Sequence, residues 1–535
     1  MYLNKYIKFL AITCFLILNI VLLYFSFSDY KGQIILFLAL LLISNAYIYF
    51  SFKHSKLFLD KTLSVFLWLG FFYKLCIISI FQTSFPEGGG AFSYSAYDFD
   101  RLLKFSSVGI LGFLVASIVF NKILNFKNLS YTHDNPILLN FYRKNRKYLF
   151  LMFLMLVIII GSTNFYLGFY QKGLLPRYEI NFIFGAFLKW MLIFGLTSIS
   201  CLLLEYELKV FKKLSTFVLF LFFFELAFTN LSLLSRSMIF GGSAVLFSIY
   251  LNYEDKIFKD KLINSLILNV SILLIIFVLM IFPINKIRNS SYIDAMYFAK
   301  ETAKQMVLDS KGIIETNRTN ENFKKPEIQN IEIKKIIDSD ISDEKKIEII
   351  SQKIVNREKQ ILDINENIER IMFVIKNRFV GLDGVAAVTS YPKQDYNLLK
   401  RALNEEFNPN LYGFYQRIFI IPFENNNETT YKKSSKRHYG IIIPGIISFL
   451  SYPGSLSFLI CAVILAHFFC SSIEYLSKRL TFNSSIFSSF IGFVLGYRLV
   501  HFGYLPKQTY LIILAIVITI LLIFFLKFLI IKNFK

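Results

Sequence analysis

The sequence predicts an all-α polytopic integral membrane protein of about 12 transmembrane helices, with one large, partly helical extracytoplasmic loop. Three observations lead there. Hydrophobic residues make up 55% and aromatic residues 18% of the 535-residue chain, and the mean hydropathy is +0.53, which soluble domains do not sustain over such a length. The apolar residues come in runs of about 20, the length that crosses a hydrocarbon layer at about 1.5 Å rise per residue. Lysine and arginine, which bring the formal net charge to +22, fall between the runs and favour alternate connections.

In chain order the predicted spans are 7–27, 33–52, 63–82, 105–124, 148–168, 182–204, 214–233, 235–251 and 262–283, then 453–473, 482–503 and 508–531. Lys5 and Lys8 precede the first run and no small-residue cleavage site follows it, so it reads as an uncleaved span. With the N-terminus inside, alternate connections collect Lys53, Lys56 and Lys61, the cluster from Arg143 to Lys147, Lys209 to Lys213, and Lys478 with Arg479. The opposite short connections hold only Lys31, Arg101, Lys104, Lys172, Arg177, Arg236 and Lys507. This bias predicts a bacterial cytoplasmic (inner) membrane protein with both termini cytoplasmic.

The chain then divides into an N-terminal bundle of about nine spans (1–283), a periplasmic or extracytoplasmic loop (284–440) and a C-terminal bundle of about three spans (441–535). Long loops translocate largely regardless of charge, so the lysines of 284–440 do not oppose this orientation. Residues 293–310 and 344–378 have helical spacing. In the second, Ile368, Ile371, Met372 and Ile375 form a stripe suited to packing on the membrane body.

The positive charge forms no stripe along one soluble element, which argues against nucleic acid and for topology signals and anionic lipid. The five cysteines, Cys14, Cys76, Cys201, Cys461 and Cys470, all fall in apolar runs, and His54, His133, His438, His467 and His501 have no ligand spacing. Neither a disulfide framework nor a metal site is expected, and no cofactor motif is present.

What stands out is arginine on the side that the orientation rule disfavours. Arg177 lies in Leu-Pro-Arg-Tyr-Glu, beside Glu179; Arg236 lies in Ser-Arg-Ser at a tight turn; Arg288 closes the ninth span. Arg378 opens Arg-Phe-Val-Gly-Leu-Asp-Gly, which contains Asp383, and Arg417 follows Phe-Tyr-Gln. Guanidinium holds diphosphate oxygens through paired, charge-assisted hydrogen bonds that lysine cannot reproduce. Pairing with Glu179 or Asp383, or snorkelling, is the structural alternative. Within the spans lie Lys74, Lys189, Glu225, His467 and Arg498. Intramembrane charges face the bundle interior, where Glu225 either neutralises Lys74 or Lys189 or belongs to a substrate cavity, to which Arg498 and Lys189, nearer the outer ends, would contribute. Pro444-Gly445 and Pro453-Gly454 fit either a short re-entrant helix or an ordinary helix start.

Leu-Pro-Arg-Tyr at 175–178, Ser-Arg-Ser at 235–237, Arg-Phe-Val-Gly-Leu-Asp at 378–383 and the proline-glycine stretch at 444–454 directly after the long loop together resemble the Wzy-type O-antigen polymerases, or oligosaccharide repeat-unit polymerases. The resemblance covers most of the chain, but the charged stretch around 320–365 is longer than the family pattern. It implies a GT-C-like, metal-independent membrane glycosyltransferase without cofactor, acting for O-antigen, capsule or a related surface polysaccharide. Donor and acceptor would both be undecaprenyl-diphosphate-linked oligosaccharides, met at the outer face, with a flippase and a chain-length regulator as pathway partners. Arg177, Arg236 and Arg378 match the motifs; Arg288 and Arg417 rest on chemistry and position alone. Asp383 is the first candidate general base, with Glu179 and His438 behind it. An O-antigen ligase, a lipid-linked oligosaccharide flippase and a secondary transporter are the alternatives.

Overall fold

The computed structural model describes residues 2–27, 30–81, 89–123, 135–171, 181–235, 238–252, 341–362, 379–405, 414–420, 443–481, 483–503 and 506–533, with isolated positions at 85, 339, 423 and between 268 and 284. The described chain is helical. Its helices are α1 (Tyr2–Phe27), α2 (Ile34–Lys53), α3 (Phe58–Ile80), α4 (Ala96–Ile123), α5 (Pro136–Leu167), α6 (Ile183–Phe211), α7 (Thr216–Ser232) and α8 (Met238–Asn252). There follow α9 (Asp343–Leu362), α10 (Leu382–Thr389), α11 (Tyr396–Leu403), α12 (Ile446–Leu450), α13 (Leu456–Leu480), α14 (Ser485–Val500) and α15 (Pro506–Asn533).

Seven of these, α2 to α6, α13 and α15, are long and apolar enough to cross a membrane. Four further apolar helices are shorter, within α1, α7, α8 and α14. This is a membrane protein built as a helical bundle. The predicted spans find helices where the chain is described; the ninth, 262–283, lies largely outside the described residues, as do 293–310 and the stripe from Ile368 to Ile375. Several helices begin earlier than the apolar runs: α4 at Ala96 rather than 105, α5 at Pro136 rather than 148. Backbone hydrogen bonding continues through the polar flanks until a cap ends it. For α5 the start is set by the Asn135 side chain accepting from Ile137 N, with Pro136 in the first turn, and the end by Gly168 at φ +59°.

Burial separates centre from periphery. Two thirds of the apolar window of α3 is buried (67%), against 28% for α2 and α15. α14 packs along α3, and α13 along α4. Two buried carboxylates fix where the central pair begins. Glu474, near the end of α13, accepts from Phe58 N (2.7 Å) and Leu59 N (2.9 Å) at the start of α3. Glu205, in α6, accepts from Ser485 N (2.9 Å) and Ile486 N (3.3 Å) at the start of α14. Each answers exposed N–H groups and the positive end of a helix dipole.

The intramembrane charges do not pair as the sequence suggests. Glu225 accepts from Thr197 (3.1 Å) and Thr229 (3.3 Å), with no ion pair to Lys74 or Lys189. His467 meets Asp60 at 2.6 Å, both fully buried, and its other ring nitrogen faces Ser471 at 3.2 Å. Lys74 pairs instead with Asp383, more than three hundred residues away in sequence.

Candidate functional site

The segment Phe379–Thr389 belongs to the long loop by sequence, yet every residue of α10 is buried. Leu-Asp-Gly-Val-Ala-Ala-Val-Thr explains this: it is apolar and small apart from one charge, and that charge is met. The Lys74 ammonium lies 2.8 Å from Asp383 Oδ2 with both side chains 2% exposed or less, and it also donates to the Phe379 carbonyl at 3.0 Å. Lys74 directly follows a π turn at Trp68–Tyr73. The extra residue of that turn shifts the angular position of everything after it, so a plain 3.6-residue count does not place Lys74.

α12 lies against α10. Gly445, at φ +84°, donates its N–H to Phe502 O at 3.0 Å and opens the five-residue buried helix. Gly384 of α10 sits so close to Pro444 that a Cβ there would lie 2.7 Å from its Cα. The two proline-glycine breaks therefore enclose a short buried helix.

Over this pair lies a cationic cleft. Asp395 caps α11 by accepting from Leu398 N (2.7 Å), and the last turn of α11 carries Lys400 and Arg401. A π turn at Gln416–Ile420 carries Arg417. Lys400, Arg401, Asn404, Glu405, Phe414 and Arg417 line a cavity of about 430 Å³. Arg417 donates to Glu405 at 3.0 Å while remaining 42% exposed, and the Arg401 guanidinium lies 5.4 Å from the Phe414 ring centre. Tyr452, in the turn after α12, packs at a tilt against Phe419 (4.8 Å) and Phe414 (6.2 Å). Three cations against one carboxylate leave the cleft with two positive charges.

Lys189 lies 5.8 Å from the Tyr170 ring centre. Asn164 donates to both Tyr170 O (3.0 Å) and Ser232 O (2.9 Å), tying the chain after α5 to the end of α7.

Of the sequence-predicted site residues, Arg177, Glu179, Arg236, Arg288, Arg378 and His438 lie outside the described residues. Arg417 lines the cleft. Asp383 does not: it is held in a buried ion pair, where a base facing an acceptor hydroxyl needs an open approach. Lys400, Arg401 and Glu405 escaped the sequence reading because they sit in a loop rich in charge. The Leu398, Leu399, Ala402 face opposite Lys400 and Arg401 is the amphipathic signal that marks them.

Comparison with protein-family models, with curated proteins and with solved structures gives no match. The functional reading rests on the chain's own residues.

Proposed function

We propose that the protein is a membrane glycosyltransferase that polymerises oligosaccharide repeat units carried on undecaprenyl diphosphate, working at the outer face of a bacterial cytoplasmic membrane with the long loop outside. One observation carries the reading: the cleft of Lys400, Arg401 and Arg417, two positive charges in excess, whose Arg417 turn contacts a loop-derived helix buried in a membrane bundle. A lipid-linked diphosphate diester carries about two negative charges at neutral pH, which matches that excess in sign and size. Transfer of the growing chain breaks its anomeric C–O bond and leaves negative charge on the departing carrier diphosphate. Guanidinium groups already fixed in the cleft stabilise that charge as it develops. Arg177, Arg236, Arg288 and Arg378 are proposed to act with them, and His438 and Glu179 to contact the glycan. Glu405 faces the cleft and takes over from Asp383 as the candidate to accept the acceptor hydroxyl's proton.

The sizes of carrier-linked glycans in cells lacking the protein test this. A polymerase leaves single repeat units on the carrier, whereas a ligase leaves long polymer there. An unchanged distribution refutes both.

A further inference from the structure

We infer that Lys74, a residue inside a membrane span, is a positioning residue that fixes the turn from Phe379 to Asp383 and, through α10, the chain that carries Arg417 of the cleft; this rests on the polymerase reading. An ammonium offers three donors in a compact head. Here one reaches Asp383 Oδ2 at 2.8 Å and another the Phe379 carbonyl at 3.0 Å. Those acceptors flank Gly381, whose φ of +140° makes the turn by which the chain enters α10. Lys74 therefore clamps both sides of one turn, and Phe379 is the residue directly after Arg378. Its ring also packs edge-on against Tyr73, at 5.8 Å.

At the far end of α10 the same helix sets the cleft. Ala387 lies against Gly90, where a Cβ would come within 3.1 Å of its methyl, and the Phe419 carbonyl abuts the same glycine. Phe419 is two residues from Arg417. Displacing α10 would move the chain at Phe379 and the chain at Arg417 together. Stability alone does not call for charge here, because an apolar pair of similar volume holds a buried helix at least as well as a buried ion pair. What the ion pair adds is direction: it holds one carbonyl and one carboxylate at a fixed spacing, and it follows a π turn, a feature frequent at functional sites.

The test compares wild type, Lys74→Met and Lys74→Met/Asp383→Leu in lipid nanodiscs, with carrier-linked glycan isolated from cells lacking the protein as substrate. Lys74→Met strands the Asp383 charge and is expected to accumulate poorly. The double variant removes both charges and is expected to reach the membrane and melt near wild type. In it, kcat should fall at least about tenfold with KM within about threefold, the pattern of a misplaced group that acts in the transition state. Phe379→Cys should also react with a membrane-impermeant maleimide several times faster on the double-variant background than on the wild-type one. A stable double variant with wild-type kcat overturns the inference whether or not labelling changes, and so does a fall in kcat with no change in labelling. Faster labelling in a protein that transfers no glycan even as wild type leaves the clamp standing and defeats the polymerase reading instead.

Discussion

Gly384→Ala isolates the contact on which the buried half of the site depends. The added Cβ would lie 2.2 Å from the Pro444 carbonyl oxygen and 2.7 Å from its C and Cα, where real Cβ contacts under 3.0 Å are essentially never found. The obstacle is backbone, so no side-chain rotation relieves it, and the chain at Pro444 must draw back from α10 by at least about 0.8 Å to bring the 2.2 Å contact to 3.0 Å. Overpacking of this kind costs about 1–3 kcal/mol, and the absence of a yielding side chain puts this case towards the upper end. Gly241→Ala is the control: a Cβ there meets nothing nearer than 3.6 Å, and exchanging a mid-helix glycine for alanine gains up to about 1 kcal/mol. Thermal unfolding of both variants in nanodiscs, followed by intrinsic fluorescence, should place Gly384→Ala below wild type and Gly241→Ala at or above it. A Gly384→Ala protein that melts with wild type would refute the close packing of α10 on α12, and with it the platform under the cleft.

Other expectations follow from single residues. Arg417→Lys keeps the charge but loses the planar fork, so affinity for inorganic pyrophosphate by calorimetry should fall about tenfold; equal affinity would remove Arg417 from the cleft's function. Because the cleft is open to solvent, wild-type affinity should weaken as salt rises through about 0.1 M, and a salt-independent constant would argue against an electrostatic site. Glu474→Gln leaves one acceptor where Phe58 N and Leu59 N now share two oxygens. That should cost about 1.5–3 kcal/mol, seen as a lowered melting temperature, and no change would mean water replaces the cap.

Where the chain forms apolar helices was legible in the sequence, because transfer from water to hydrocarbon is close to a sum over consecutive residues. The runs ending at Phe27, near Lys53 and at Ile123 announce helices without knowledge of their neighbours. The proline-glycine pairs at 444 and 453 likewise announced a break, since proline withholds a donor and glycine permits positive φ. Helix ends were less legible: α5 begins well before its apolar run because Asn135 and Pro136 start it, and the π turn before Lys74 leaves no mark in a 3.6-residue pattern.

Which charges meet was decided only in three dimensions. Nothing local tells Lys74 to choose Asp383 over Glu225, or His467 to choose Asp60, because the cost of stranding a charge depends on what else is buried beside it. Glu225 could forgo a lysine once two threonine hydroxyls reached it; Lys74 could not be left alone once a small apolar helix from the loop had folded in against it. Composition settled that this chain lives in a membrane. The folding of residues 379–389 into the bundle settled which of its charged side chains are structural and which face the cleft, since pairing energy belongs to distances between remote positions and not to their order along the chain.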